Sequence, residues 1–192
     1  MPVNNLDERL NKILDRVTSD AFLGGQGLGN EVPFYAFDYP PEDELKVREH
    51  VEFLKEAITR RRPELKVAFV NLFDLLLEML KSRKLLDKSI DLQAQKGDDA
   101  LQKALKAPLD AGKVAKELVE RFPPADYSML FISGVGSAYP LIRTHNLLNN
   151  LQPFMGQTPL VLFYPGRYDG QSLQLFGQLG EKPYYRAFRL VS

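Results

Sequence analysis

Two short stretches of this sequence hold the residue types that handle anions. The first is Ser133-Gly134-Val135-Gly136-Ser137, followed closely by Arg143 and His145. Backbone N–H groups and hydroxyls at a helix start, with a cation nearby, make a phosphate or carboxylate site. The second is Pro165-Gly166-Arg167-Tyr168-Asp169-Gly170. A guanidinium and a phenol ring at its tip suit a phosphate, a carboxylate or a protein surface. Asp169 is placed to cap a helix running through Phe176. The plainer alternative is that Arg167 pairs with Asp38 or Asp169 and only locks the loop. The expected binding residues are therefore Ser133, Gly134, Gly136, Ser137, Arg143, His145, Arg167, Tyr168 and Asp169, on the carboxyl edge of a sheet.

Other chemistries lack their residues. Gly134-Val135-Gly136 begins like a dinucleotide fingerprint, but Tyr139 replaces the third glycine and the motif follows the third expected strand, not the first. Neither Ser133 nor Ser137 lies in a Gly-x-Ser-x-Gly frame, and nothing in the sequence joins them to His50 or His145. No His-Glu-x-x-His or Asp-x-Asp spacing is present, and there is no cysteine. Gly24-Gly25-Gln26-Gly27-Leu28-Gly29-Asn30 precedes the first expected strand and lacks the Gly-Lys-Ser/Thr ending of a P-loop, so it reads as a flexible connection. The helix after that strand opens with Pro40-Pro41 and then Glu42, Asp43 and Glu44. Carboxylates favour a helix N-terminus but repel phosphate there. No catalytic residue, metal or cofactor is expected, and the chain reads as a non-enzyme.

The elements that position these stretches follow from patterning. Val3, Leu6, Leu10, Ile13, Leu14 and Val17 predict an amphipathic helix over residues 3–19. Strands are predicted at Val32–Phe37, Val67–Val70, Ser128–Ile132, Pro159–Tyr164 and Tyr185–Val191. Near-continuous apolar runs that stop at turn residues suit strands buried on both faces. Val47, Val51, Leu54 and Ile58 stripe a helix ending at Arg61, with His50 partly packed beside the stripe. Asn71 caps another, with Leu72, Leu75, Leu76, Met79 and Leu80 inside. The pattern predicts one three-layer α/β domain over residues 1–192: a mainly parallel sheet of about five strands, helices on both faces, and a nucleotide-binding-like core without a P-loop. The span between the second and third strands exceeds a simple crossover, so residues 84–110 should stand out as a helical excursion.

Charge sharpens this. Net charge is zero overall. The balance is −5 over residues 1–80, +3 over 81–121 and +2 over 122–192, and the last third holds only 8 charged residues in 71. A segment so poor in charge is core, or partly a surface covered by another protein. Lys81, Arg83, Lys84, Lys88, Lys96, Lys103 and Lys106 make the excursion basic, but Asp87, Asp91, Asp98 and Asp99 interrupt it. A solvated face fits better than a DNA stripe, leaving nucleic acid an indirect or weak partner. No signal peptide or membrane span is read, which with the missing cysteines fits the cytoplasm.

Gly-Gly-Gln-Gly-Leu-Gly-Asn (24–30), Phe-Asp-Tyr-Pro-Pro-Glu-Asp-Glu-Leu-Lys-Val-Arg (37–48), Ile-Ser-Gly-Val-Gly-Ser-Ala-Tyr-Pro-Leu-Ile-Arg (132–143), Phe-Tyr-Pro-Gly-Arg-Tyr-Asp-Gly-Gln-Ser-Leu (163–173) and Tyr-Tyr-Arg-Ala-Phe-Arg-Leu-Val (184–191) together resemble the BrxB family. That family belongs to the BREX (bacteriophage exclusion) defence system, and the resemblance spans nearly the whole chain. It implies action beside an alkaline-phosphatase-fold partner (PglZ), a large ATPase and an adenine DNA methyltransferase. It brings no catalytic residues. The resulting expectation is a non-catalytic adaptor that binds PglZ, with a homodimer as a further assembly. The alternatives are a nucleotide or anion sensor on the sheet edge, and a DNA-binding accessory protein.

Overall fold

The computed structural model describes residues 6–25, 32–177, 179–180 and 187–191. In chain order the strands are β1 (Phe34–Tyr39), β2 (Val67–Asn71), β3 (Met129–Ser133), β4 (Leu160–Tyr168), β5 (Leu173–Leu175), β6 (Leu179–Gly180) and β7 (Ala187–Arg189). The α-helices are α1 (Leu6–Val17), α2 (Asp20–Leu23), α3 (Glu44–Arg61), α4 (Leu72–Ser82), α5 (Leu86–Leu105), α6 (Ala111–Arg121), α7 (Val135–Ala138) and α8 (Thr144–Met155). β2, β3, β4, β1 and β7 lie side by side in that order, all parallel. The expected parallel α/β sheet with helices on both faces is what forms. Gly24 and Gly25 close α2, and the rest of the glycine-rich stretch to Asn30 lies outside the described residues, as does Tyr185–Arg186 of the fifth expected strand.

Side-chain alternation along the strands builds two cores. Tyr35, Phe37, Phe131 and Phe163 pack with α1, Phe22 of α2 and α3 on one face. Ala36, Val70, Ile132 and Leu162 pack with α4, α6 and α8 on the other. A strand buried on both sides must be apolar at every position, which is why β1, β3 and β4 read as continuous runs. Deleting a large side chain from such a core costs about 2–5 kcal/mol.

Against that rule, β1 carries a buried carboxylate. Asp38 is 7% exposed, and Arg9 of α1 is 5% exposed. Arg9 Nη2 lies 2.7 Å from Asp38 Oδ1, and its Nη1 donates to the Asp38 carbonyl oxygen at 2.7 Å. The guanidinium also stands over the Phe37 ring, 4.7 Å from its centroid. Arg9 thus carries a charge from one face of the sheet to the end of β1.

Two local expectations change, and the expected excursion takes a definite form. The second turn leads into a hairpin rather than a helix. β4 runs past the end of β1 to Tyr168 and returns antiparallel as β5, pairing Arg167 with Gln174 and Tyr168 with Leu173. The alternation of Leu173 and Leu175 with Gln174 is strand periodicity, and the close approach needs a glycine: a Cβ on Gly166 would sit 2.2 Å from the Gln174 carbonyl oxygen. The first turn leads into a helix of one turn, α7, so Arg143 lies before α8 and not within the first helix after the glycines. The excursion is α5, bent at Gly97 (φ 76°), with Leu105 as its buried residue and Ile90 57% exposed. His50 is half-buried as expected, and burial pushes its imidazole pKa down.

Arg9→Met should destabilise the protein by about 3–5 kcal/mol, because it leaves a buried carboxylate without its cation. Adding Asp38→Asn should cost less than the two single changes summed, as denaturant unfolding of the four proteins would register.

Candidate functional site

In an open parallel sheet the ligand crevice lies outside the carboxyl ends of the strands, where the strand order reverses. Here the chain leaves β1 toward β2 and leaves β4 toward β7, so the crevice falls between the neighbouring ends of β1 and β4. The protein's own groups fill it. Asp38 Oδ1 takes Arg9, and Asp38 Oδ2 accepts the Tyr168 backbone N–H at 3.0 Å. The Tyr168 hydroxyl donates to the Ala187 carbonyl oxygen, and the Arg189 guanidinium donates to the Tyr168 carbonyl oxygen. Tyr168 is 1% exposed, not at a loop tip, and burial is the main reason its phenol pKa is raised. The Asp38 charge is answered by Arg9, so the locking partner expected of Arg167 is supplied elsewhere.

The helix start beside the crevice is occupied as well. Tyr39 OH donates to Glu44 Oε2 at 2.6 Å, and Arg48 Nε donates to Glu44 Oε1 at 2.8 Å. The carboxylate that was expected to repel phosphate is thereby fixed over the first turn of α3.

The expected site residues separate into three groups. Ser133 ends β3 opposite Asn71 of β2, and Gly134 follows with φ 70°. Asn71 Oδ1 caps α4 by accepting from the N–H groups of Phe73 and Asp74. Gly134 packs on that cap so tightly that a Cβ would lie 2.1 Å from Asn71 Oδ1. Ser137 is exposed and its hydroxyl accepts from Arg48 Nη2 at 3.3 Å. Gly136 faces the hairpin, where a Cβ would lie 3.0 Å from Pro165 Cγ and 3.1 Å from Phe176. The two glycine turns therefore do meet at the sheet edge, by packing.

Arg143 and His145 form the second group. Arg143 is exposed, 5.9 Å over the Tyr139 ring, at a cleft bounded by α5 and α8. His145 is 8% exposed in α8. The third group is the hairpin. Arg167 is exposed on β4, and Asp169 closes the turn instead of capping a helix: its Oδ1 accepts the N–H groups of Ser172 and Gln171, and its Oδ2 accepts the Ser172 hydroxyl. Those donors, Ser172 first, hold its carboxyl pKa down to about 2.

One large groove was not foreseen. β2 is an outer strand of the parallel path, and among the described residues nothing pairs with its free edge. A groove of about 510 Å³ runs along it between α3 and α4. Phe69 and Phe122 line it, Arg48, Glu49, Glu52 and Lys55 stand on the α3 wall, Asp74 and Glu78 on the α4 wall, and Arg121 lies beside Glu78. Ser133 reaches it from β3. Among the described residues no group of three or more His, Asp or Glu could hold a metal ion, and no helix is long and apolar enough to cross a membrane.

A family model described as "BREX protein BrxB" matches residues 68–190. A protein of Bacillus cereus (strain H3081.97) called "BREX protein BrxB" is 39% identical over 193 residues, covering 98% of this chain and 99% of that protein. One of the same name from Escherichia coli O9:H4 (strain HS) is 39% identical over 186 residues, covering 97% and 92%. No solved structure matches.

The Asn71–Gly134 contact ties the ends of β2 and β3 together, and it is sensitive to a single methyl group. Gly134→Ala would both strain a positive φ and drive a Cβ into Asn71. A loss of about 2–4 kcal/mol is expected, read as a lower denaturant midpoint.

Proposed function

The chain belongs to the BrxB family of BREX proteins, and on that premise we propose that it is a non-catalytic interaction subunit of a bacteriophage-exclusion complex, docking on the alkaline-phosphatase-fold partner PglZ. The observation that carries this reading is the self-filled crevice. Where an α/β enzyme would admit a substrate, Arg9, Asp38 and Tyr168 are bonded to one another in the core. Catalysis needs a reacting atom placed about 3 Å from a nucleophile or base. The residues of the two glycine turns point instead into packing, exposed surface and two separate clefts.

What remains open is suited to protein. A free parallel-sheet edge offers unpaired backbone donors and acceptors, and an extended segment that adds there gains main-chain hydrogen bonds. The groove along β2 adds side-chain specificity. Phe69 and Phe122 supply apolar contact, and Glu49 and Asp74 have no ion-pair partner among the described residues. The groove's cations Arg48, Lys55 and Arg121 are paired with Glu44, Glu52 and Glu78, so a partner strand that sets apolar residues on the two rings and a Lys or Arg by Glu49 or Asp74 fits that lining.

Light scattering on a size-exclusion column tests the proposal. Mixed with its PglZ partner, the protein should elute in one peak at the mass of a complex. Glu49→Arg, at an exposed position of α3 outside any ion pair among the described residues, should weaken that peak without lowering stability. Separate peaks at micromolar concentrations would contradict the proposal, and an unchanged complex with the variant would move the contact away from β2.

A further inference from the structure

We infer that the cleft between α5 and α8 binds a small phosphorylated ligand of the nucleotide class, at a place distinct from both the filled crevice and the β2 groove. The cleft has a volume of about 670 Å³, within the range of roughly 300–1,000 Å³ typical of small-molecule sites. Lys103 and Lys106 at the end of α5 line one side, and Arg143, Asn146 and Asn150 the other. None of the three cations has an acidic partner among the described residues. Asp110, the carboxylate of this lining, is engaged in capping α6 through the Gly112 N–H at 3.0 Å.

Arg143 is the informative residue. Lys103 and Lys106 close a helix, where cations offset the dipole and need no further explanation. Arg143 stands at the opposite kind of end. It is the N-cap residue of α8, in an extended conformation (φ −98°, ψ 133°), and its side chain makes no capping hydrogen bond. A cation there is repelled by the positive end of the helix, and an anion bound beside it reverses that sign. α6 also begins on this cleft, but the Asp110 carboxylate already caps it. One helix N-terminus without an acidic cap and three cations without an acidic partner thus converge on one concavity.

The remaining lining selects the class of anion. Leu105, Leu109, Pro140 and Leu141 give an apolar wall, and Gln102, Asn146 and Asn150 give amides that can both donate and accept. A phosphate joined to a flat heterocycle uses all of these, whereas a bare phosphate uses only the cations. DNA is disfavoured, because a duplex following α5 outward would meet Asp87, Asp91, Asp98 and Asp99. This site shares only Arg143 with the anion site expected at the sheet edge, and it stands whether or not the partner docks on β2.

Thermal unfolding of the whole protein, titrated with ATP, AMP, adenosine, inorganic pyrophosphate and a single-stranded DNA oligonucleotide, tests the inference. A bound ligand raises the midpoint in proportion to the logarithm of its concentration once above Kd. ATP should stabilise, pyrophosphate less, and adenosine not at all. Lys103→Glu with Arg143→Glu should weaken ATP binding by about tenfold or more, since two charge-assisted contacts are lost. Lys88→Glu, on α5 but outside the cleft, should leave it unchanged. The inference is overturned if no phosphate compound stabilises the wild-type protein, if the double variant binds ATP as the wild type does, or if only the oligonucleotide binds.

Discussion

The carboxylate of Asp38 is where four elements of this protein meet. α1 reaches it through Arg9, β1 supplies it, and β4 donates to it through the Tyr168 amide. Tyr168 in turn holds β7, through its hydroxyl to Ala187 and its carbonyl to Arg189. Burying two charges costs several kcal/mol per ion, and only good geometry with full hydrogen bonding repays it. Both Asp38 oxygens are occupied and both terminal nitrogens of Arg9 donate, but Arg9 Nε is buried without a hydrogen-bond partner, so the pair is not fully repaid in stability. The pair is therefore a device that fixes where elements sit. It requires α1 to lie across the end of β1, and it requires β4 to extend past the sheet so that Tyr168 can close the other side.

That requirement explains why a sheet with the outline of a nucleotide-binding protein presents no open crevice at its strand ends. The extension of β4 into a hairpin brings Phe176 and Pro165 against Gly136, so the two glycine turns pack on each other. Surfaces left for recognition are displaced outward. One is the free edge of β2, between α3 and α4. The other is the cleft made where the α5 excursion passes the start of α8. Both lie beside the sheet rather than at its centre.

Much of this was legible in the sequence because burial on both faces leaves no alternative to continuous apolar strands. The runs at Met129–Ile132 and Leu160–Tyr164, the Asn71 cap and the carboxylate-rich start of α3 each appear where patterning puts them. The excursion was legible too, from a connection far longer than a crossover needs. What failed was local. Gly166 reads as the end of a strand, yet it is the point where β4 continues, because a backbone approach across a hairpin also demands glycine. Arg9 was missed although a signal existed: it lies on the apolar stripe of α1, between Leu6 and Ile13, where a charge must find a buried partner. Asp38, inside an apolar strand, carried the complementary signal. Neither shows that the other answers it, since the pairing spans 29 residues and depends on the strand order. The gathering of Arg143 with Lys103 and Lys106 is a property of the packing of α5 against α8, which no local pattern encodes.

The crevice at the end of β1 is closed by the protein's own groups. Amide hydrogen exchange at Tyr168 reads this most directly, because its N–H is the bond that seals the crevice. The account predicts exchange at Tyr168 as slow as at the central positions of β1 and β4, and unchanged by nucleotide or by the proposed partner protein. Fast exchange at Tyr168, or protection that appears only when a ligand is added, would mean that the crevice opens and would contradict the account.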